Sequence, residues 1–558
     1  MNTMSSPSFA VYYDGDAYAT DRKIMGRHSA GKAFMNGIAR TWPTATVRGL
    51  VRRRSAAEAM GRQLRGDGFA GRTECSVLPD WRVVEAVGTL YVPAPPTREL
   101  AAARNQHNPT AFSLMGVTHT LASAGAMDAL ADLALPPFQP WDALICTSRA
   151  AHALVGALHE QMHAYWREHM GATRFTHIER PVIPLGVDVP AFANAPGDRA
   201  AARGALGLQA AETVFLFAGR LAFHAKANPV PLYQALARLA AERPVVCIEA
   251  GVFPGDQARE AYRAAQRALA PTVRFITVDG TDGTRYRQAW QGADVFVSLS
   301  DNIQETFGLT PVEAMAAGLP VVVSDWNGYQ DTVRHGVDGL RVPTCLAPAG
   351  VGESMALRHA LGADTYDRYI GTASLATVVE PRALVEALGC LASDPALRAR
   401  MGAAGRARAV AEFDWPVILR RYAELAGHLD EIRRGHMQMS AQPWPPRADP
   451  FRAFAHFASA PLAGHWPVRA RPDAAARLAV LLSLSTANFA FTRAFSPEAP
   501  TALLDLLRRT GGNTVDAVLA HSGLANDVGV HALMWLWKFD LVEIDAGLKT
   551  APAGEGAP

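Results

Sequence analysis

The sequence predicts an α/β protein built from two doubly wound domains and a mainly helical third region. Short apolar runs alternate with helical stretches over the first 190 residues, and a second alternation begins at residue 214. Such alternation is typical of parallel strands joined by crossover helices. The chain of 558 residues also exceeds what one hydrophobic core normally holds. We therefore expect several domains.

The first domain is predicted over residues 1–190. Its apolar runs predict strands, and helical periodicity separates them. A further apolar run at 182–188 closes the domain, and a linker containing Pro and Gly follows. The predicted strands are 9–13, 89–92, 112–118 and 143–146, and the predicted helices are 31–40 and 56–64.

The second domain is predicted over residues 200–427. Ligands of open α/β sheets bind outside the carboxyl ends of the strands. Two such domains in tandem therefore predict a cleft where those ends meet. The predicted strands are 214–218, 245–249, 273–276, 295–297 and 321–323, and one predicted helix is 231–242.

The third region, residues 445–558, follows a proline-containing break at 442–446. Helical patterns at 502–507, 515–520 and 530–537, followed by an apolar run at 541–544, resemble a winged-helix unit. The segment that would face nucleic acid, 527–538, has only His531 and Lys538 as basic residues. We expect a protein partner or self-association here, with nucleic acid disfavoured.

Composition narrows the class of protein. The chain is 49% hydrophobic and 19% charged, with a net charge of +2 and no apolar run of about 18–20 residues that would span a bilayer. The five cysteines are scattered without metal-ligand spacing, which predicts neither a disulfide nor a zinc site. Residues 1–8 lack the pattern of a signal peptide. These features predict a cytoplasmic protein.

A basic run, Arg52 to Arg54, lies in the segment 48–65. One interpretation is peripheral contact with an anionic membrane surface at its inner face. The other interpretation is an ordinary solvated face.

The most informative segment contains Glu305 and Glu313. It follows a predicted buried strand, and Thr310-Pro311 predicts a capping hydroxyl and a proline at a helix start. A helix start offers unpaired backbone N–H groups to an anion, and carboxylates accept hydrogen bonds from hydroxyls. The segment thus predicts a ligand with phosphates and hydroxyls. The alternative is a solvated loop acid and a first-turn acid that complements the helix dipole.

Two cations precede this segment. Arg220 follows Gly219 at the end of a predicted strand, and Lys226 lies six residues later in a chain with lysines only at 23, 32, 226, 538 and 549. Arg offers a forked set of donors and Lys a movable point charge, so the pair suits two oxygens of one diphosphate. The alternative is that both are surface cations on a loop.

These residues fall in four motifs that resemble glycosyltransferase family 4, the retaining group 1 enzymes with the GT-B fold of two Rossmann-like domains. The resemblance covers about residues 9–425. Weaker matches lie at 26–31, 118–120, 141–148 and 183–188. Ala227 stands where the family usually has glycine, and the loop 14–25 is longer than usual. The four motifs are 217–221 with Lys226, 305–309, 313–322 and 336–340.

The resemblance implies roles for the candidate residues. Glu313 would accept hydrogen bonds from the ribose hydroxyls, and Glu305 would hold hydroxyls of the transferred sugar. His119 would contact the donor sugar, although a structural histidine is the alternative. The loop 26–31, with Gly31, would touch the phosphate from the first domain. The backbone at Gly219, Phe307, Gly308, Leu309 and Thr310 would approach the sugar or phosphate.

The resemblance further implies retaining transfer of a hexose from a UDP- or GDP-sugar to a saccharide or lipid-linked acceptor, in polysaccharide or glycoconjugate synthesis. The first domain would face the acceptor, and the second would bind the nucleotide sugar. No Asp-x-Asp motif lies near the cleft, so no cofactor or divalent ion is expected. The alternatives are a catalytically silent GT-B scaffold and a regulatory protein whose third region binds a protein or nucleic acid.

Overall fold

The computed structural model describes residues 6–14, 18, 26–195, 197–436, 439–489, 491 and 495–548. It divides into two compact units, Met1–Pro443 and Trp444–Pro558. The division falls within the proline-containing stretch 442–446. The second unit has a hydrophobic core of its own.

The first unit begins with a parallel sheet of six strands in the order β3-β2-β1-β4-β5-β6. The strands are β1 (Ala10–Tyr12), β2 (Thr46–Val51), β3 (Arg72–Val77), β4 (Thr89–Tyr91), β5 (Ser113–Val117) and β6 (Ala143–Ile145). The helices are α1 (Gly26–Thr41), α2 (Arg54–Gly66), α3 (Arg82–Glu85), α4 (Arg98–His107), α5 (Ala124–Asp132) and α6 (Arg149–Met170).

A second parallel sheet of six strands has the order β12-β11-β10-β7-β8-β9. The strands are β7 (Thr213–Ala218), β8 (Val245–Gly251), β9 (Arg274–Asp279), β10 (Val295–Ser298), β11 (Val321–Ser324) and β12 (Gly339–Val342). The helices are α7 (Asp198–Ala205), α8 (Val230–Ala240), α9 (Asp256–Leu269), α10 (Gly283–Gly292), α11 (Leu309–Ala316) and α12 (Tyr329–Thr332). A 3₁₀ turn, Val189–Phe192, precedes α7.

The predicted α/β class with two Rossmann-like domains is confirmed. In both sheets the first strand lies between the second and the fourth, which is the doubly wound order. Strands β7, β8, β10 and β11 are buried along their whole length, because parallel strands are covered on both faces. The sequence did not predict β2, β3 or β12. Each interrupts its apolar run with polar residues or glycine, and β3 and β12 lie at sheet edges.

Two antiparallel strands, β13 (Thr344–Leu346) and β14 (Thr377–Val379), bracket a segment that the sequence did not predict. Between them lie α13 (Glu353–Ala360) and α14 (Tyr366–Ser374). We call residues 344–379 the inserted segment. The chain then continues through α15 (Pro381–Ser393), α16 (Pro395–Arg408) and a π-helical turn, Ala409–Phe413.

The last helix of the unit, α17 (Trp415–Arg434), returns to the first domain and packs on α1. Trp415 is buried against two glycines, since a Cβ on Gly37 or Gly186 would lie 2.6 or 2.3 Å from its side chain. The Val187 N–H donates to the Phe413 carbonyl (2.8 Å), and the Trp415 N–H donates to the Val187 carbonyl (3.2 Å). The two segments that join the domains therefore run side by side.

The start of α1 corrects one prediction. The glycine-rich segment 26–31 was expected to be a loop that precedes a helix, but α1 already begins at Gly26. Only the first four N–H groups of a helix lack an intrahelical partner. Gly31 is the sixth residue and is buried, so its N–H belongs to the helix ladder and does not face a ligand.

The basic segment 48–65 is not one continuous surface. Part of it is β2, inside the first sheet, where Arg48 pairs with Glu74. Arg52 Nε donates to the Tyr12 hydroxyl at 2.6 Å. Across the described ranges, no helix combines the length and apolar character needed to cross a membrane.

The second unit joins three antiparallel strands to helices, which confirms a mainly helical third region, and the resemblance to a winged-helix unit stays a prediction. The strand order is β16-β15-β17. His531 and Lys538 lie on its last helix, and Lys538 is exposed. The strands are β15 (Pro467–Ala470), β16 (Asn513–Thr514) and β17 (Val542–Ile544). The helices are α18 (Pro450–Ala453), α19 (Ala474–Ser483), α20 (Ser485–Asn488), α21 (Glu498–Thr510), α22 (Val515–His521) and α23 (Asn526–Lys538), with 3₁₀ turns at Pro445–Arg447 and Ala455–Phe457.

Candidate functional site

The candidate site lies where β7 and β10 end side by side in the second sheet. The strand order reverses between these two strands, and crevices at such points are where open α/β sheets bind ligands. The chain after β7 carries Lys226, and the chain after β10 carries Glu305. Lys226 Nζ lies 2.5 Å from Glu305 Oε2. The topology thus brings together two residues that are far apart in the sequence.

The Glu305 side chain is buried, with only 10% of it exposed, and its carboxyl is nevertheless ionised. Burial raises its pKa, but the Lys226 charge and hydrogen bond, with the N–H groups of Thr306 and Phe307, outweigh burial and lower the pKa below its ordinary value. The N–H of Phe307 is therefore engaged by Glu305. This differs from the expectation that it faces a ligand.

The loops after β7 and β10 hold each other in place through three side chains. Asn302 Nδ2 donates to the His224 carbonyl (2.7 Å) and Gln304 Nε2 to the Ala225 carbonyl (3.3 Å). Ser300 Oγ donates to the Lys226 carbonyl (3.3 Å). These bonds fix the backbone that carries Lys226.

Ala227 causes no strain at the position where the family resemblance led us to expect glycine. It is not among the described residues with positive φ, and its side chain is buried in the core of the second domain. Gly219, by contrast, has φ of +144°, in the region that favours glycine.

A tightly packed glycine directly precedes helix α11. Gly308 has φ of +93° and precedes the helix, and a Cβ there would lie 2.2 Å from the ring of Tyr329. Tyr329 is fully buried, and its hydroxyl lies 2.7 Å from Ser298 Oγ. Thr310 is therefore the second residue of the helix. Its predicted capping role is wrong, because the left-handed glycine already ends the preceding loop.

The first turn of α11 has backbone N–H groups without an intrahelical acceptor. The N–H groups of Leu309 and Thr310 belong to the first four, which have no intrahelical acceptor, and Pro311 has no N–H. They lie next to the positive end of the helix dipole, which favours an anion.

Glu313 lies on the same helix and is half-buried. Burial raises its pKa from the ordinary 4.5 to about 7, against the opposing charge of Lys226. Burial also raises the pKa of the Tyr286 hydroxyl, and the charge of Glu313 raises it further. Tyr286, which the sequence did not single out, is therefore a neighbour of Glu313.

Arg220 is half-buried and forms no hydrogen bond or ion pair within the part of the chain that the structure describes. Its charge acts on the hydroxyl of Tyr366, from the inserted segment. Arg220 thus presents a cation at the same sheet edge as Lys226.

The backbone of His119, in the first domain, contacts this site. It follows β5, and its carbonyl accepts a hydrogen bond from Thr306 Oγ1 at 2.7 Å. Thr306 adjoins Glu305, so the edge of the first sheet is attached directly to the acidic loop. The role of the His119 side chain remains a prediction.

Several residues that the sequence did not single out lie in or contact the loop that carries Glu305. Asn327 Nδ2 donates to the Glu305 carbonyl, and Trp326 Nε1 donates to the Asn302 carbonyl at 3.1 Å. Burial raises the pKa of Asp301 to about 7. The available signal was Asp301-Asn302, two polar residues that begin three positions after the end of the buried strand β10. Within the described ranges, no group of three or more His, Cys, Asp or Glu side chains is arranged to hold a metal ion.

We expect Glu313 to make stability depend on pH. Its pKa is raised on folding, so between about pH 4.5 and 7 the folded protein binds more protons than the unfolded chain, and stability falls as the pH rises through this window. Glu313→Gln removes this loss. The stability of the variant minus that of wild type should therefore be greater at pH 8 than at pH 5, by about 2 kcal/mol. Melting temperatures of the two proteins at both pH values measure this difference.

The control for this comparison is Glu386→Gln, an exposed position on α15. It should show the same difference from wild type at both pH values. A Glu313→Gln protein that behaves like this control would contradict the raised pKa of Glu313.

Comparison with known families decides what kind of domain carries this site. The family described as "Glycosyl transferases group 1" matches residues 198–355. The chain carries a group 1 glycosyl transferase domain. This group 1 domain contains β7, β10, α11 and the candidate residues Arg220, Lys226, Glu305 and Glu313, and it confirms the resemblance inferred from the motifs.

Named relatives match part of the chain. A D-inositol 3-phosphate glycosyltransferase of Mycolicibacterium gilvum is 31% identical over 238 residues, covering 42% of this chain and 50% of the relative. One from Geodermatophilus obscurus is 36% identical over 170 residues, covering 29% and 36%. The chain thus spans half or less of the length of these relatives.

Solved structures resemble the chain over most of its length. The Anabaena protein HepE in complex with UDP has a TM-score of 0.48 at 18% identity, covering 75% of this chain and 99% of that protein. Sucrose-phosphate synthase of Thermosynechococcus elongatus has a TM-score of 0.45 at 19% identity, covering 76% and 99%.

Proposed function

We propose that the protein is a glycosyltransferase that moves a hexose from a nucleoside-diphosphate sugar, with UDP- and GDP-sugars as the first candidates. One observation carries the proposal. Lys226 and Glu305 are in contact at the switch point of a group 1 domain, beside a helix start with free N–H groups and Glu313. This set offers cations and backbone donors for a diphosphate and carboxylates for hydroxyls.

The cations would act on the leaving group. When the bond between the anomeric carbon and the diphosphate breaks, negative charge grows on a phosphate oxygen. Lys226 Nζ has three donors and uses one on Glu305, so the others remain for that oxygen. Arg220 would add a permanent charge, and the N–H groups of Leu309 and Thr310 would add fixed dipoles. No metal ion enters this arrangement.

The two acids would hold hydroxyls. Glu305 is kept ionised by Lys226 and would accept hydrogen bonds from hydroxyls of the transferred sugar. Glu313, on the helix, would accept from the two ribose hydroxyls. Burial removes water from Glu313 and raises its pKa to about 7. Hydroxyls of the ligand would supply the hydrogen bonds that water no longer makes to this carboxylate.

We propose that transfer retains the anomeric configuration. The acceptor hydroxyl would attack on the face that the diphosphate leaves, its oxygen bonding to the anomeric carbon while its proton passes to the departing phosphate oxygen. The acceptor would be a saccharide or a lipid-linked saccharide, bound on the side of the first domain, where His119 meets the acidic loop. We assign the second unit, Trp444–Pro558, to a protein partner or self-association.

The proposal is tested by thermal-shift measurements with UDP-, GDP- and ADP-sugars and their free nucleotides, with and without magnesium. A ligand that binds only the folded state at 100 times its Kd adds about 2.7 kcal/mol of stability. We expect one nucleotide class to raise the melting temperature equally with and without magnesium. No shift with any of them would favour a silent scaffold, and a shift that requires magnesium would contradict the metal-free arrangement.

A further inference from the structure

The inserted segment lies against the loop that carries the candidate cations. Ile370 of α14 is fully buried with Ala222 and Ala225, and Tyr366 packs on the same cluster. A Cβ on Gly371 would lie 3.0 Å from the Cβ of His224. Helix α14 is therefore packed closely on residues 222–225, between Arg220 and Lys226.

The segment also contacts the acidic loop and the first domain. Asn302 Nδ2 donates to the Ile370 carbonyl at 3.4 Å, and Ile303 belongs to the same apolar cluster. On the other side, the Ala124 N–H donates to His359 Nε2 at 3.3 Å. The inserted segment thus closes one edge of the candidate site from both domains.

One polar atom of the segment has no partner. The Tyr366 hydroxyl is buried and forms no hydrogen bond within the described part of the chain. Burying a hydroxyl without a partner costs free energy, so a ligand atom or a water that accepted its hydrogen bond would recover that cost. The nearby Arg220 forms no hydrogen bond or ion pair among the residues that the structure describes, and its charge acts on this hydroxyl.

We propose that Tyr366 is a donor-binding residue whose hydroxyl donates a hydrogen bond to a diphosphate oxygen of the nucleotide sugar, beside Arg220. This inference rests on the proposed function and extends it to a residue outside the four sequence motifs. Arg220 supplies charge, and Tyr366 supplies a neutral donor from the helix packed on residues 222–225. Burial raises the pKa of Tyr366 to about 12, so the hydroxyl keeps its proton throughout the physiological range.

Tyr366→Phe tests the inference because it removes only the hydroxyl. The probe is whichever of UDP, GDP and ADP stabilises the wild-type protein most, with its parent nucleoside as the phosphate-free comparison. Isothermal titration should show about tenfold weaker binding of the diphosphate, the effect expected for one hydrogen bond to a charged group, and unchanged binding of the nucleoside. The melting temperature of the free protein should stay equal or rise, since a buried unpaired hydroxyl is lost.

Tyr369→Phe is the matched control, because it removes a hydroxyl from the same helix. The Tyr369 ring stacks on His359 at 4.8 Å and should keep that contact as phenylalanine. Its diphosphate affinity should stay within twofold of wild type. Equal losses for diphosphate and nucleoside in Tyr366→Phe, or a loss with the nucleotide sugar alone, would overturn the assignment to a phosphate oxygen.

Arg220→Ala separates this inference from the proposed function. If the wild type binds a diphosphate and Arg220→Ala weakens it while Tyr366→Phe does not, the inference fails and the proposed function stands. If the wild type binds none of the three diphosphates, the proposed function itself fails.

Discussion

Replacing Lys226 with methionine is expected to lower the rate of sugar transfer by about 100- to 1,000-fold, the range found when one preorganised donor to a developing anion is removed. Methionine keeps the unbranched shape and removes the charge. The variant loses the cation closest to the acidic loop, and no cation in bonding distance of Glu305 replaces it within the described residues. The measurement is the turnover rate with the nucleotide sugar that the thermal screen selects.

The same variant should also lose stability, by about 1–3 kcal/mol, because Glu305 is then a buried carboxyl without its ion pair. The double variant Lys226→Met/Glu305→Gln separates the two effects. It removes the unpaired charge, so stability should recover while the transfer rate stays low. Lys538→Met, an exposed position on α23, controls for the loss of a lysine. A folded Lys226→Met protein with the full transfer rate would refute the role assigned to this residue.

Gly308→Ala is expected to destabilise the first unit by about 2–5 kcal/mol, as the sum of two effects. The first is strain, because φ of +93° is unfavourable for any residue with a Cβ. The second is a clash, because the new Cβ would lie 2.2 Å from the ring of Tyr329. The ring is fully buried and bonded to Ser298, so it has little room to move. Scanning calorimetry measures the loss.

Gly318→Ala is the control that measures the backbone strain of a positive φ without a clash. Gly318 has φ of +78° just after the same helix, and a Cβ there would have no neighbour within 4 Å. It should cost about 1 kcal/mol. The larger loss in Gly308→Ala should also reduce diphosphate affinity, because the shifted helix start carries the N–H groups of Leu309 and Thr310. Equal losses in the two variants would show that the Tyr329 contact is not rigid.

The core of the site could be predicted from the sequence because it depends on strand ends. Buried apolar runs fix where β7 and β10 stop, and parallel strands of one sheet place the following residues at one edge. Arg220, Lys226 and Glu305 all follow directly from that rule. The start of α11 was predicted two residues late, because a threonine followed by proline is the commoner signal and the packing of Gly308 on Tyr329 is invisible in a local pattern.

What the sequence could not predict depends on contacts between distant segments. The bond from Thr306 to the His119 carbonyl uses a backbone atom, which no residue type reveals. The inserted segment has modest periodicity, and α13 has no buried residue, so its position over residues 222–225 comes only from Ile370 and its neighbours.

The return of α17 to the first domain has a consequence for dividing or recombining the protein. A fragment that stops at residue 190 would lack Trp415, and it would expose the groove on α1 that this helix covers. A fragment of the second domain that kept α17 would carry a helix whose apolar side, with Ile418, Leu419 and Tyr422, has nothing to cover it. A hybrid with a foreign first domain therefore needs two junctions, so that the new domain brings its own closing helix.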